Sequence, residues 1–177
     1  MTECTDSAEL VITAPEPYGA RLAYDTAARM TLGVLTELVV GARKRLVLAS
    51  PYLSEDVFDV GVLAASVHAA LTRGVVIELA TSSKQIQALS PSLLRRREAG
   101  QLAIFCPTAN LESDTRLGSH AKFCISDSSA AYLGSANFTT PGLAGHLEMG
   151  VLVRGRLATA ISALWDTLKE LKVFAAL

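Results

Sequence analysis

Histidine, cysteine and aromatic side chains are all scarce in this sequence. Its 177 residues hold three histidines, three cysteines and one tryptophan, and aromatics make up 6%. Cys4, Cys106 and Cys124 show no metal-like spacing, and an odd number cannot all pair within one chain. Cys106 and Cys124 lie in apolar, strand-like context and read as reduced core residues. Charge of one sign is also lacking: the net charge is −1, so no global field draws the protein to nucleic acid. No aromatic residues interleave with the basic ones, as stacking along a single strand would want. The longest apolar run, Val60 to Leu71, spans 12 residues, contains His68 and is too short to cross a bilayer. The opening "MTECTDSAEL" carries acids where a secretory signal has a basic region, so a cytoplasmic location is expected.

What remains is a globular chain. Half of its residues are hydrophobic and the mean hydropathy is +0.35, enough for a real core in one domain. Residues 1–20, with Pro15, Pro17 and Gly19, predict a lead-in of little regular structure, followed by one domain over 21–177. Asp25 predicts an N-cap for a helix reaching about Lys44, with Met30, Val34, Leu35 and Leu38 at helical spacing. "RLVLASPYL" predicts a short strand stopped by Pro51. Ser54, Glu55 and Asp56 predict the start of a helix to about Arg73, closed by Gly74. A strand over Val75–Thr81 follows, then a short helix from Ser90 and Pro91 ending at Gly100, and a strand over Gln101–Cys106. His120–Ile125 and Ala130–Leu133 predict a strand pair, Glu148–Val153 another strand, and Ile161, Leu164, Trp165, Leu168 and Leu171 one face of a last helix. Strands alternating with helices predict an α/β fold: a mixed β-sheet sandwiched between helices.

Against that background "SHAKFCISDSSAAYLGSANF" (Ser119–Phe138) stands out, because ionisable groups on core strands cost free energy unless something uses them. His120 and Lys122, two apart on a strand, leave the same face. Asp127 falls in the following turn. Gly134, Ser135 and Asn137 close the next strand, where a Gly-Ser turn lets backbone approach a ligand. Thr140 and Pro141 predict the N-cap and first residue of a short helix. A nucleophile or base, a cation, an amide and a hydroxyl at one sheet edge are what an anionic tetrahedral phosphate needs.

The pattern His-x-Lys-x4-Asp-x6-Gly-Ser-x-Asn resembles the signature of the phospholipase D superfamily, without gap or substitution. Six fixed positions fall so by chance on the order of 10⁻⁶ of the time. The resemblance implies one phospholipase D-type lobe from about Asp25 onward. It implies a phosphodiesterase in which His120 attacks phosphorus, Lys122 and Asn137 hold non-bridging oxygens, Ser135 supports them, and Asp127 fixes local geometry. Glu148 resembles the acid that bonds the histidine's other nitrogen. No cofactor and no metal are implied. Leaving-group protonation needs a second imidazole, and the chain has one motif. A symmetric homodimer, with His120 of each copy meeting across the two-fold axis, supplies it.

The compact single-motif form resembles nucleases of this superfamily, which implies cleavage of DNA or RNA. "GSANFTTPGLAGHLEMGVLVRG" (Gly134–Gly155) also resembles the phospholipase D-like component of the bacterial DISARM anti-phage system, implying helicase and methyltransferase partners. A phospholipase or phosphatidyl transferase with the same chemistry is the alternative, and a catalytically idle DNA-binding subunit a third. The lipid reading wants a membrane-facing surface, and neither a basic amphipathic helix nor an anchor is visible. Tyr52, after Pro51, either touches substrate or simply packs. Arg95, Arg96 and Arg97 either complement a helix dipole or contact a nucleic-acid backbone, and Lys44 and Arg45 share that ambiguity. His146 reads as a loop residue near the site and His68 as structural.

Overall fold

The computed structural model describes residues 5–89 and 91–177. Nine strands form one mixed sheet in the order β2-β1-β8-β7-β6-β3-β4-β5-β9. At its centre β3 (Arg45–Ala49), β4 (Val76–Ala80) and β5 (Leu102–Pro107) run parallel. The middle residues of β3 and β4 are buried on both faces, and the apolar runs "RLVLA" and "VIELA" follow from that double burial. The antiparallel hairpin of β6 (Phe123–Ser126) and β7 (Ala130–Gly134) adds to β3, and β8 (Glu148–Arg154) adds to β7. Asp127 and Ser128 turn the hairpin with φ of 50° and 59°, the left-handed pair that a tight hairpin requires.

One face of the sheet is covered by α2 (Thr31–Gly41), α4 (Gly61–Thr72) and α5 (Pro91–Glu98), burying Val34, Leu35, Leu38, Val67, Leu71 and Leu93. The other face is covered by α6 (Arg156–Glu170), whose Trp165 meets Phe105, Phe123 and Phe174 edge-on. This is the α/β sandwich the element order predicts. Gly74 and Gly100 end α4 and α5 as expected, with φ of 82° and 70° and the paired hydrogen bonds of a Schellman motif. Ser90 lies outside the described residues, so the start of α5 there is left aside.

Four expectations are corrected. Residues 1–4 lie outside the described residues, and the rest of the expected lead-in is not irregular: β1 (Ser7–Thr13) pairs with β8 along its whole length and α1 (Tyr18–Thr26) follows it. The stretch Val11–Thr13 is what fixes β1, since pairing buries it beside β8. Asp25 is no N-cap but sits inside α1, bonded to Arg21; the chain breaks at Ala27 (φ 53°), pairs as β2 (Arg29–Met30) beside β1, and only then enters α2. The helix expected over residues 54–73 is two, α3 (Glu55–Asp59) and α4, because Val60 is extended and Gly61 turns with φ of 91°. On α6 the buried stripe is Ala158, Ser162 and Trp165 with Ile161 and Leu168 alongside, while Leu164 and Leu171 face outward.

Candidate active site

The carboxyl ends of β3 and β4, the entrance to β6, the exit of β7 and the start of β8 lie at the same end of the sheet. Antiparallel pairing of β6 with β3 sets Phe123 opposite Ala49, so the residues just before Phe123 stand where β3 ends. His120 and Lys122 precede β6 rather than lying in it, although Lys122 still accepts the Gly134 N–H at 3.1 Å. They meet as their spacing predicts. Lys122 Nζ is 2.8 Å from His120 Nδ1, 3.1 Å from Nε2 and 2.9 Å from the His120 carbonyl. One ammonium so close to both ring nitrogens packs against the ring. In the neutral imidazole the nitrogen without a hydrogen is the one that can take a phosphorus or a proton. The imidazole is exposed, whereas Lys122 is only 5% exposed. Burial pushes the Lys122 ammonium below its usual range, and the Glu148 carboxylate works against that.

Gly134 has a packing reason rather than the close approach to ligand that its turn suggests. A side chain there would run into the Tyr132 hydroxyl, and one at the facing Gly150 would meet the same ring at 2.6 Å. The buried ring of Tyr132 thus requires glycine on both strands, and burial pushes its hydroxyl up to about 12. Ser135 donates its hydroxyl to Glu148 and accepts the Met149 N–H at 3.1 Å, so its hydrogen is aimed at the acid. Glu148 opens β8 as expected. The contacts it makes are with Ser135 and, at 3.8 Å, with Nδ1 of the exposed His146, while His120's ring is turned to Lys122. The histidine–acid bond implied by resemblance is therefore not formed here.

Asn137 is held from below by a residue that sequence reasoning missed. Ser50, 2% exposed at the end of β3, donates to the Tyr52 carbonyl (2.7 Å), accepts from the Phe138 N–H (3.0 Å) and lies 3.4 Å from Asn137 Oδ1. A serine directly after an apolar strand and before Pro51 was the available signal. Thr140 and Pro141 stand at the N-cap and first position of the short helical turn Pro141–Gly145 as predicted, and Thr139 accepts the Gly142 N–H.

Other candidates are separated from this cluster. Asp127 stands five residues beyond Lys122, about 16 Å along the strand at ~3.3 Å per residue. There it accepts the backbone N–H groups of Arg43, Lys44 and Arg45 at 2.7–2.8 Å. Burial alone would raise its pKa; these three donors outweigh that and hold it below the usual carboxylate range. Arg95, Arg96 and Arg97 occupy the last turn of α5, just before Leu102 opens β5 at the amino ends of the parallel strands. That is the end of the sheet remote from His120, and there they complement the helix dipole. Arg45 is committed to Glu78 and Asp166. Tyr52 is beside the site and 45% exposed. Cys106 and Cys124 are buried and unpaired, as their context predicts; burial pushes the Cys106 thiol up to about 11. Among the described residues no helix is long and apolar enough to cross a membrane, and no group of three or more His, Cys, Asp or Glu is placed to hold a metal ion.

The mixed sheet thus gathers an exposed histidine, a buried lysine, an asparagine and a serine–glutamate pair at one end. The profile of the family described as cardiolipin synthase, PLD-like domain, matches residues 35–171, and the chain belongs to that family. No curated protein matches in sequence. Among solved structures, the phospholipase D family member Nuc from Salmonella typhimurium superposes with a TM-score of 0.63 at 14% identity, covering 98% of this chain and 99% of Nuc. NucT from Helicobacter pylori gives 0.63 at 15% identity, covering 98% and 100%. The phosphatidylserine synthase of Haemophilus influenzae Rd KW20 gives 0.67 at 16% identity, with 98% of this chain against 40% of the synthase. At such identities the likeness is one of fold.

Proposed function

We propose that this protein is a metal-independent phosphodiesterase that cleaves nucleic acid through a covalent phosphohistidine at His120, working as a homodimer. The observation that carries this reading is the exposed His120 ring directly against the buried Lys122 ammonium. A ring nitrogen of His120 attacks phosphorus and a P–N bond forms as the bond to the leaving oxygen breaks. Lys122 and the Asn137 amide hydrogens take the non-bridging oxygens, which carry the added charge of the transition state. A second imidazole donates the proton to the leaving oxygen, then takes one from water as water displaces His120 from phosphorus.

The homodimer supplies that second imidazole from the partner's own site. Leu10, Met149 and Val151, facing one another across β1 and β8 on the sheet side of α6, are 39%, 59% and 40% exposed and offer an apolar face for the second copy. Matching the whole length of Nuc and NucT, but 40% of the synthase, fits a one-lobe enzyme that is completed by pairing. Glu148, held by Ser135, serves as the acceptor that steadies an imidazolium at the site, with His146 the nearest in the chain. A place in an anti-phage assembly with helicase and methyltransferase partners follows from the wording of Gly134–Gly155.

One observation favours a second reading, a phosphatidyl transferase or phospholipase. A cavity of about 230 Å³ lined by Leu32, Val57, Val60 and Leu143 opens beside Thr140, where an acyl chain could lie. The test offers labelled DNA, RNA, bis(p-nitrophenyl) phosphate and phosphatidylcholine vesicles, each with and without EDTA, and quenches in alkali to trap phosphohistidine. Nucleic-acid cleavage that survives EDTA, with label retained on protein, is expected. Headgroup release from vesicles alone favours the second reading, and DNA binding without any turnover an idle subunit. An equal mixture of wild-type and His120→Ala chains is expected to retain about a quarter of the activity, because only pairs with two intact histidines work; independent monomers retain about half.

A further inference from the structure

Basic and aromatic residues do not interleave in the sequence, yet the fold brings three of them around one cavity. Tyr52 from the end of β3, Lys84 and Gln85 from the turn after β4, and Glu112, Asp114 and Arg116 from the loop after β5 line a space of about 260 Å³. It adjoins the active site. The Tyr52 carbonyl is bonded to Ser50, which lies against Asn137, and Arg116 is four residues before His120.

The wall is built, and several hydrogen-bond donors line it. Glu112, 8% exposed, accepts the Ser83 N–H on both carboxylate oxygens at 3.0 Å, which fixes the acid in the wall. Gln85 Oε1 accepts the Leu53 N–H at 3.1 Å, which leaves its amide hydrogens to donate. Lys84 Nζ bonds the Asp114 carbonyl at 3.1 Å, a neutral partner that leaves its positive charge available. Arg116 and Tyr52 are both exposed.

We propose that this cavity is the subsite for the nucleotide adjoining the scissile phosphate and that it takes an unpaired base, which makes single-stranded nucleic acid the substrate class. The proposal rests on the nuclease reading above. Tyr52 stacks on the base, Gln85 donates to its edge, and Lys84 and Arg116 hold the neighbouring phosphate. A base inside a duplex has its faces stacked and its edge paired, so it reaches such a ring only when unpaired or flipped out. A cavity of about 260 Å³ has room for one base.

The test compares a single-stranded oligonucleotide, the same sequence as duplex, and bis(p-nitrophenyl) phosphate, using the full chain and the variants Tyr52→Ala, Tyr52→Phe and Lys84→Ala/Arg116→Ala. The wild type is expected to cleave the single strand at least tenfold faster than the duplex. Tyr52→Ala and the double variant should lose at least tenfold more kcat/KM on the single strand than on bis(p-nitrophenyl) phosphate, mainly through KM. Tyr52→Phe, which keeps the ring, should restore the value. Equal cleavage of duplex, or equal losses on both substrates, overturns the subsite. Turnover of bis(p-nitrophenyl) phosphate or lipid without cleavage of any nucleic acid overturns the nuclease reading itself. Binding of a fluorescein-labelled single strand to His120→Ala protein gives a readout independent of turnover. Tyr52→Ala added to it should weaken Kd at least fivefold, and an unchanged Kd sinks the proposal.

Discussion

The two ends of the β6 strand hold polar residues of one motif under opposite conditions. At its entrance His120 is exposed, and Lys122 is buried with its ammonium against a ring and a carbonyl. At its exit Asp127 is saturated by backbone donors. Close by, Glu78 accepts from Arg45 (2.9 and 3.1 Å), Trp165 Nε1 (2.6 Å) and Lys169 (2.9 Å), and Arg45 also reaches Asp166. A polar group whose bonds are all met inside the protein stabilises the fold; one left open is available for chemistry. Membership of a motif does not tell these apart, and hydrogen-bond saturation does.

The largest expected effect breaks the open end. His120→Ala should lower turnover of bis(p-nitrophenyl) phosphate by about 10⁴-fold or more, the scale of losing a nucleophile, while the melting temperature moves by no more than a few degrees. Retained turnover in steady-state assays would remove His120 from the mechanism.

The saturated end should respond in the opposite sense. Glu78→Gln leaves Arg45 and Lys169 short of a carboxylate in a buried setting, at a cost of about 3 kcal/mol. Calorimetry should show a melting temperature lower by roughly 6–12 °C, with kcat changed far less than by His120→Ala. Asp127→Asn keeps an acceptor for two of its three donors and should cost about 1.5 kcal/mol, again with little change in kcat. A tenfold loss of kcat without a loss of stability would return Asp127 to the active site.

Acid should find the same end. Burial alone would raise Glu78, but its bonds from Arg45, Lys169 and Trp165 hold it below the usual carboxylate range, and Asp127 is likewise depressed. As pH falls the unfolded chain takes up protons at these groups first. Their stabilisation is therefore fully present above the unfolded carboxyl range of about 3.9–4.3 and is lost progressively below it. Urea titrations from pH 7 to 3 should show wild type losing more stability than Asp127→Asn across that window; parallel curves would refute the assignment. The smallest effect is expected for Arg95→Ala in the last turn of α5. Stability should fall by a few tenths of a kcal/mol through the helix dipole, and nucleic-acid cleavage in the same assay should stay within about twofold.

Much of this fold could be read in the sequence, because its central strands and the ends of α4 and α5 are written in local signals. Apolar runs, Gly74 and Gly100 act on their own neighbourhoods. The elements that escaped are those that depend on a distant partner. β1 is a strand because β8 lies beside it, and β2 interrupts an apparently continuous helix because β1 offers an edge. The site divided in the same way: His120 and Lys122 meet through a spacing of two, whereas Ser50 reaches Asn137 across the sheet.

By itself, then, the order of residues determined the motif, the alternation of strand and helix, and which polar side chains belong to one stretch, since these follow from spacing and side-chain chemistry along the chain. Only the tertiary structure decided that Asp127 is an anchor at the far end of a strand, that Gly134 makes room for Tyr132, that Glu148 answers to Ser135, and that Tyr52, Lys84 and Arg116 share a cavity. Each of those depends on which backbone and side-chain groups find partners across the sheet, and partnership in space is not written in adjacency along the chain.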